Sequence, residues 1–205
     1  MLPARHPRGL RGIRGTYVHV HAGGSVDRPE RNGADEDPTR SGIYTVHSSD
    51  GADVIRVTTP PGGMTDFPGD WSSNDDIVFH RASGDSYDGP LLLVKASGGD
   101  PSELISTSVG DSGRFSPDGT LVATSSGGVI QVVDATGSVA SSIDVSGSVL
   151  FGPAWSPDGD WLVFSADSLG FSADLFVSRP DGSELYQVTR TPDNEITVDW
   201  GRDPD

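Results

Sequence analysis

Two histidines one residue apart are the first side chains in the chain whose spacing suits metal binding. His19 and His21 lie in residues 17–21, where polar or aromatic residues alternate with valines. In a strand this alternation places both imidazoles on one side, where they could bind a transition metal. It is also the pattern of an ordinary half-buried strand. Because His47 and His80 add no neighbouring ligand in the sequence, we interpret the pair as structural and predict no metal site and no cofactor.

The tetrapeptide Gly110-Asp111-Ser112-Gly113 looks like the nucleophile segment of chymotrypsin-like serine proteases. Such a serine needs a histidine base and an orienting aspartate held by the surrounding scaffold. Here the tetrapeptide lies between two predicted strands of a repeating pattern. The equivalent position in the other repeats is occupied by Phe67-Pro68-Gly69-Asp70 and Phe151-Gly152-Pro153. Its place in a repeating pattern accounts for it, and we predict no protease activity.

Other catalytic and ligand-binding motifs are incomplete in the sequence. Lys95 is the only lysine and lies in a predicted strand, so there is no Gly-Lys-Ser/Thr loop for phosphate. Ser156-Pro157-Asp158-Gly159 superficially resembles a sialidase Asp-box, but its glycine follows the aspartate directly. Asp35-Glu36-Asp37 could help to ligate calcium, although no complete EF-hand loop surrounds it. We therefore predict no enzymatic activity and interpret the acidic triplet as a solvated loop.

Composition and charge exclude several further classes of protein. The 205 residues include 14 Lys+Arg and 30 Asp+Glu, for a net charge of −16, and no cysteine. Without cysteine there is no disulfide framework, thiolate zinc site or iron–sulfur cluster. The negative charge would repel phosphate backbones, and no apolar run approaches the roughly 20 residues that span a bilayer. We expect no nucleic-acid partner and no membrane span.

A four-residue turn recurs along the chain and reveals internal repeats. Ser116-Pro117-Asp118-Gly119 returns as Ser156-Pro157-Asp158-Gly159, each directly after an aromatic residue. Degenerate copies follow two more aromatic residues, and the four are spaced 44, 40 and 45 residues apart: Trp71, Phe115, Trp155 and Trp200. A period of about 40–45 residues, with short apolar runs separated by turn formers, is typical of an all-β propeller whose blades each have four antiparallel strands.

Each repeat is predicted to contain four strands, A to D. Strand A ends at the aromatic residue, which we expect to fill the core between blades. The next turn leads to strand B, because proline fixes one φ and Asp-Gly accepts the positive φ that follows; Asp118, Gly119, Asp158 and Gly159 are therefore turn residues. A variable loop leads to strand C, and a second short turn leads to strand D. The predicted B strands are 121–124 and 161–165, and the C strands are 91–95, 129–133 and 174–178.

Several segments resemble the TolB-like propeller repeat, which is similar to the WD repeat. They are Pro153-Ala154-Trp155-Ser156-Pro157-Asp158-Gly159, Asp174-Leu175-Phe176-Val177, and Pro180-Asp181-Gly182-Ser183-Glu184-Leu185 before Val188-Thr189. Ile43-Tyr44-Thr45-Val46 with Ser49-Asp50-Gly51 repeats the second half of the pattern. The resemblance covers about residues 41–200. It implies a β-propeller in a periplasmic or extracellular protein, and such repeats occur in scaffolds and in the propellers of peptidases and lyases.

The N-terminal residues differ in character from the repeats. Residues 1–15 carry Arg5, Arg8, Arg11 and Arg14 and lack the apolar core of a signal peptide, so a cytoplasmic location stays open. We predict a disordered basic leader, and the alternative is a tether to an anionic surface.

The propeller is assigned to residues 16–205 and has two possible forms. It comprises a partial repeat (16–64), three complete repeats (65–107, 108–144, 145–189) and a closing strand within 190–205. Pairing of residues 196–200 with N-terminal strands at 17–21, 42–47 and 54–58 would close about four blades. TolB-like propellers generally have six, so the alternative is a fragment of a six-bladed propeller.

One face of the predicted propeller carries long, varied loops, those between strands B and C and between D and A. Exposed aromatic groups among charges are typical binding anchors, and acids attract a cationic partner. The loops hold Asp35, Glu36, Asp37, Asp66, Asp85, Asp88, Asp111 and Asp167, with Tyr87, Leu169 and Phe171. From them we predict partner contacts at Asp85, Tyr87, Asp88, Asp111, Asp167, Leu169 and Phe171. The alternative is that the acids only solubilise the chain and that Phe171 packs on its own blade.

The sequence favours a non-catalytic, TolB-like propeller scaffold that binds a protein or peptide, with an oligomeric state left open. One alternative is the propeller portion of a serine peptidase or polysaccharide lyase whose catalytic part lies elsewhere. Another is a calcium-stabilised binding module.

Overall fold

The computed structural model describes residues 41–45, 54–83, 86, 88–109, 111, 113–167, 172–196 and 199–201. Fourteen strands and the turns between them make up this part of the chain, which contains no helix. The strands are β1 (Tyr44–Thr45), β2 (Ile55–Arg56), β3 (Met64–Trp71), β4 (Asp76–Ser83), β5 (Gly89–Lys95), β6 (Ser102–Val109), β7 (Arg114–Phe115), β8 (Leu121–Ser126), β9 (Val129–Asp134), β10 (Val139–Ile143), β11 (Val149–Trp155), β12 (Leu162–Asp167), β13 (Ala173–Ser178) and β14 (Tyr186–Gln187).

The strands form three antiparallel blades and part of a fourth. Blade 1 is β3–β6, blade 2 is β7–β10 and blade 3 is β11–β14, each paired in chain order, and β1–β2 make a half-blade. A single pair, Val109↔Ser126, joins β6 to β8 and links blades 1 and 2 at one edge. The all-β propeller with four-stranded antiparallel blades is thus confirmed, and the half-blade corresponds to the predicted C and D strands of the partial repeat.

The Ser-Pro-Asp-Gly turns adopt the predicted chemistry. In the first copy the Ser116 hydroxyl donates to Asp118 Oδ1 at 2.6 Å, and the Gly119 N–H donates to the Ser116 carbonyl at 2.8 Å. Gly119 has φ = 73°, a conformation that glycine adopts without steric cost. Asp158 and Gly159 repeat this arrangement after β11, with φ = 79° at Gly159. Each turn therefore brings strand B back antiparallel to strand A.

Apolar clusters fill the spaces between successive blades. Each blade has a near face, toward the preceding blade, and a far face, toward the following one, because side chains alternate along a strand. The cluster between blades 1 and 2 includes Val78, Leu91 and Phe115, and the next one includes Ile130, Trp155 and Phe164. A third cluster joins the half-blade to blade 1 and includes Ile43 and Phe79. The core of the molecule thus lies between sheets.

The four repeat aromatics differ in burial. Phe115 and Trp155 are buried, whereas Trp71 is half-buried against the cluster beside the half-blade. Trp155 also donates its indole N–H to the Arg114 carbonyl of blade 2 at 3.0 Å. Trp200 is half-buried at the C-terminal limit of the described residues.

Closure of the ring is not seen in the described part of the chain. Ile196, Asp199 and Trp200 are not in a strand there, and no strand pairs with both blade 3 and β1–β2. The predicted N-terminal strand at 17–21, with His19 and His21, lies outside the described residues, as do Asp35, Glu36 and Asp37. The four-bladed form stays a prediction.

Candidate binding surfaces

The connections between strands define two faces of the blades. The turn face carries the short A–B and C–D turns, and the loop face carries the B–C and D–A connections. Of the partner contacts predicted on the loop face, Asp85, Tyr87, Leu169 and Phe171 lie outside the described residues. Asp88 is exposed, and Asp167 is partly exposed at the end of β12.

Asp111 has a local structural role that the sequence analysis did not foresee. Its carboxylate accepts hydrogen bonds from the Gly113 N–H at 2.9 Å, the Thr124 hydroxyl at 2.7 Å and the Ser125 N–H at 3.0 Å. These bonds attach the D–A connection to strand β8. The signal available in the sequence was the Asp-x-Gly spacing, because an aspartate side chain often accepts the backbone N–H of the residue two positions later.

Asp66 is not a loop residue, contrary to the sequence-based expectation. It lies inside β3, is buried, and forms a bidentate ion pair with Arg81 of β4 at 2.5 and 2.9 Å. Asp66 and Arg81 are register partners, so the pair links strands A and B of blade 1. Strand β3 starts at Met64, so Asp66 lies two residues inside the strand and not in the connection before it.

Four aspartates on the turn face are held as carboxylates by neighbouring hydroxyl groups. The Ser116 hydroxyl, followed by the Thr120 N–H and hydroxyl, lowers the pKa of Asp118 below its usual 3.8. The same direction of pKa shift occurs at Asp134, Asp158 and Asp181, with the largest contributions from the hydroxyls of Thr136, Ser156 and Ser183 respectively. Asp118, Asp158 and Asp181 directly precede the glycine of their turns, whereas Asp134 is the last residue of β9 and begins its C–D turn. All four keep the turn face negative at neutral pH.

Turns of neighbouring blades contact one another across this face. The Asn74 side-chain amide, in the turn of blade 1, donates to the carbonyls of Asp118 and Gly119 in blade 2 at 3.4 and 3.3 Å. Asp70 makes a second link, because its carboxylate accepts the N–H groups of Trp71 and Phe115 at 2.8 and 2.9 Å. These hydrogen bonds join the turns of blades 1 and 2 into one surface.

A pocket of about 450 Å³ opens on the turn face between the half-blade and blade 1. Ile55 and Trp71 give it apolar walls, and the turns of blade 1 give it polar groups. Its lining consists of Thr45, Ile55, Trp71, Asn74, Asp75, Lys95, Ala96 and Ser97. The volume falls in the range of sites for small ligands or single side chains of a partner, about 300–1,000 Å³.

The charges at the pocket favour a cationic occupant. Lys95 Nζ lies 2.7 Å from Asp76 Oδ1 and donates to the Asn74 carbonyl at 3.3 Å, so an acid already balances its charge. Asp75 is exposed and lines the pocket with φ = 62°. The sequence analysis missed this site. The signal available to it was the departure of Ser72-Ser73-Asn74-Asp75 from the Ser-Pro-Asp-Gly pattern.

Within the described residues there is no group of three or more His, Asp or Glu side chains that could hold a metal ion. The described residues also contain no helix long and apolar enough to cross a membrane.

Comparison with solved structures identifies the fold. TolB from Acinetobacter baumannii is similar with a TM-score of 0.58 and 20% identity, over 76% of this chain and 39% of that one. The β-propeller domain of Swd1 from Myceliophteria thermophila has a TM-score of 0.58 and 10% identity, over 78% and 57%. A prolyl endopeptidase has a TM-score of 0.57 and 12% identity, over 73% and 26%. These likenesses confirm, for the fold, the resemblance to the TolB-like propeller.

The chain spans less than two thirds of each of these structures, about two fifths of TolB and somewhat more than half of the Swd1 propeller domain. No protein-family model matches the sequence, and no curated protein matches it either.

Proposed function

We propose that this chain is a non-catalytic β-propeller scaffold that binds a cationic peptide or a cationic segment of a protein. The observation that carries the proposal is the pocket between the half-blade and blade 1. It combines an apolar wall, polar turn groups and an exposed carboxylate at the edge of a negative turn face.

Physical arguments support a peptide as the occupant. A pocket of about 450 Å³ fits one or two side chains of a longer ligand. The turn-face carboxylates and the net charge of −16 would attract a cationic ligand and speed its association at low salt. An extracytoplasmic location, implied by the resemblance to TolB-like repeats, forms part of the proposal.

The test compares peptide binding by two variants whose substituted residues, Ile55 and Val54, are adjacent in the sequence but face opposite sides of the half-blade. The probe is an array of short synthetic peptides that vary in net charge and in one central apolar residue. Ile55 is 48% exposed and lines the pocket, whereas the adjacent Val54 is 64% exposed and, by strand alternation, faces away from it. We expect Ile55→Ser, which removes the apolar wall without adding a charge, to weaken binding of the best cationic peptide at least about tenfold and Val54→Ser to leave it within about twofold.

Two outcomes would contradict this proposal. One is a wild-type protein that binds no peptide, or binds peptides without regard to their charge. The other is a selected peptide whose affinity is the same for wild type and Ile55→Ser, with Ile55→Ser and Val54→Ser both shown to be folded by circular dichroism.

A further inference from the structure

The A–B turn of blade 1 carries an aspartate at the position where the other two blades carry a glycine. The Asp75 N–H donates to the Ser72 carbonyl at 3.2 Å, as the Gly119 N–H donates to the Ser116 carbonyl at 2.8 Å. Gly159 makes the same bond in blade 3 at 2.9 Å. Asp75 has φ = 62°, close to the 73° and 79° of the two glycines. In hydrogen bonding and in backbone conformation, Asp75 therefore takes the place of the glycine.

This conformation strains the backbone of blade 1. Glycine adopts a positive φ without steric cost, whereas a residue with a Cβ does so rarely. Within the described residues only Asp75 and Glu184 combine a side chain with a positive φ. A strained residue in the wall of a pocket is a reason to ask what its side chain does there.

The Asp75 carboxylate differs from the other turn carboxylates because the protein does not bind it internally. In blade 2 the Ser116 hydroxyl donates to Asp118 Oδ1 at 2.6 Å, which ties that carboxylate to its own turn. In blade 1 Asn74 stands in the place of Asp118, and the aspartate comes one residue later. The exposed Asp75 carboxylate forms no hydrogen bond or ion pair with any described residue, and it lines the pocket.

Blade 3 shows how this protein holds a guanidinium group. Arg179 Cζ lies 4.1 Å from the centroid of the Trp161 ring. The Arg179 nitrogens lie 3.4 Å from a carboxylate oxygen of Asp160 and 3.4 Å from one of Glu184. A planar cation is thus placed over an indole ring and beside carboxylates, an arrangement that combines cation–π attraction with ion pairing.

The pocket between the half-blade and blade 1 offers the same kinds of group without an arginine. Its walls include Trp71, which is half-buried, and the Asp75 carboxylate, and Ile55 adds apolar surface. Lys95 also lines the pocket, but its Nζ lies 2.7 Å from Asp76 Oδ1, so that acid balances its charge. The charge left without a partner is the carboxylate of Asp75.

We propose that this pocket binds the side chain of an arginine, and that the chain keeps Asp75 in a strained turn for this purpose. The proposal rests on the proposed function, since the arginine belongs to the cationic peptide. Its guanidinium pairs with Asp75 and lies against Trp71. Arginine fits this site better than lysine, because a planar guanidinium stacks on an aromatic ring and presents parallel donors to a carboxylate, whereas an ammonium is compact and strongly hydrated.

The test measures the affinity of the full chain for three versions of one peptide by isothermal titration calorimetry. The peptide is the best cationic binder from the array, made with arginine, lysine or citrulline at each cationic position in turn. Citrulline has nearly the shape of arginine but no charge. At one position we expect the arginine version to bind at least about tenfold more tightly than the citrulline version and about fivefold more tightly than the lysine version.

Variants of Asp75 assign this preference to a single residue. Asp75→Asn removes the charge and keeps a side chain that tolerates a positive φ. It should weaken binding of the arginine version at least about tenfold and abolish the preference over citrulline. The matched control is Asp100→Asn, because Asp100 is an exposed acid in the C–D turn of the same blade but does not line the pocket. It should leave the affinity within about twofold.

Asp75→Gly tests the strain separately. It should bind the arginine version as weakly as Asp75→Asn does, yet melt about 2 °C or more above the wild type, because glycine relieves the strained φ. A glycine variant that is no more stable than the wild type would overturn the claim that Asp75 is kept at a cost.

The remaining outcomes separate this inference from the proposed function. Equal affinity for the arginine and citrulline versions, or equal effects of Asp75→Asn and Asp100→Asn, would overturn arginine recognition. If Ile55→Ser still weakens binding in that case, the peptide site stands and only the assignment of arginine fails. If neither Ile55→Ser nor Asp75→Asn weakens binding, the proposed function and this inference fail together.

Discussion

At the scale of single residues, Asp66 and Arg81 form the shortest and most buried of the ion pairs seen in the described residues. The Asp66 side chain is fully buried, and the Arg81 side chain is 17% exposed, so neither charge can be solvated well if the other is removed. The pair Lys95–Asp76 has a similar separation, 2.7 Å, but its lysine is 59% exposed. The two pairs therefore allow the effect of burial to be measured within one protein.

We expect Asp66→Asn to lower the free energy of unfolding by about 3–5 kcal/mol, because it leaves a buried guanidinium without its counter-charge. Asp76→Asn should cost only about 0–1 kcal/mol. Urea unfolding of both variants measures the difference. Replacing both partners, Asp66→Leu with Arg81→Met, should restore part of the loss; a double variant less stable than Asp66→Asn would contradict the argument.

At the scale of strands and turns, close contact between blades depends on a glycine in the C–D turn. Gly137 has φ = 82°, and a Cβ at this position would lie 2.5 Å from the Leu104 carbonyl oxygen of blade 1. Gly147 has a similar φ of 79°, but a Cβ there would meet nothing within 4 Å. Substituting each by alanine separates backbone strain from the clash between blades.

We expect Gly147→Ala to cost about 1 kcal/mol from its positive φ alone. Gly137→Ala should cost at least about 1 kcal/mol more, because backbone atoms must move apart where the turn of blade 2 meets strand D of blade 1. Thermal and urea unfolding would measure both. Equal losses of stability in the two variants would show that the blades separate freely at this point.

The repeats in the sequence predicted the strands and turns more accurately than they predicted the candidate binding pocket. A turn such as Ser116-Pro117-Asp118-Gly119 is fixed by local chemistry, so the fold class and strand order followed from its spacing. Asp66 was misassigned because its burial depends on Arg81, fifteen residues away. The pocket at Ile55 and Asn74 forms between repeats, and no local pattern describes how two blades meet.

At the scale of the whole molecule, acid should destabilise the chain through its turns. The pKa of Asp118 and that of Asp158 are lowered in the folded protein, first by the hydroxyls of Ser116 and Ser156, from an ordinary value of 3.8. A carboxyl group with a lower pKa when folded binds protons more readily when unfolded. Its contribution to stability is therefore complete above pH 3.8 and is lost as the pH falls through the lowered pKa.

A double variant, Ser116→Ala with Ser156→Ala, isolates this contribution from the general effect of charge. Protonation of other acids relieves the self-repulsion of a chain with net charge −16 in both proteins alike. The wild type should have the higher melting temperature above about pH 5, and the gap should narrow steadily toward about pH 2. Melting curves by circular dichroism across that range test it. A difference in melting temperature that stays constant with pH would contradict this argument. It would mean that the hydroxyls stabilise the turns by packing or by hydrogen bonds to the backbone and not by keeping the carboxylates charged. One such bond runs from the Ser116 hydroxyl to the Leu121 carbonyl.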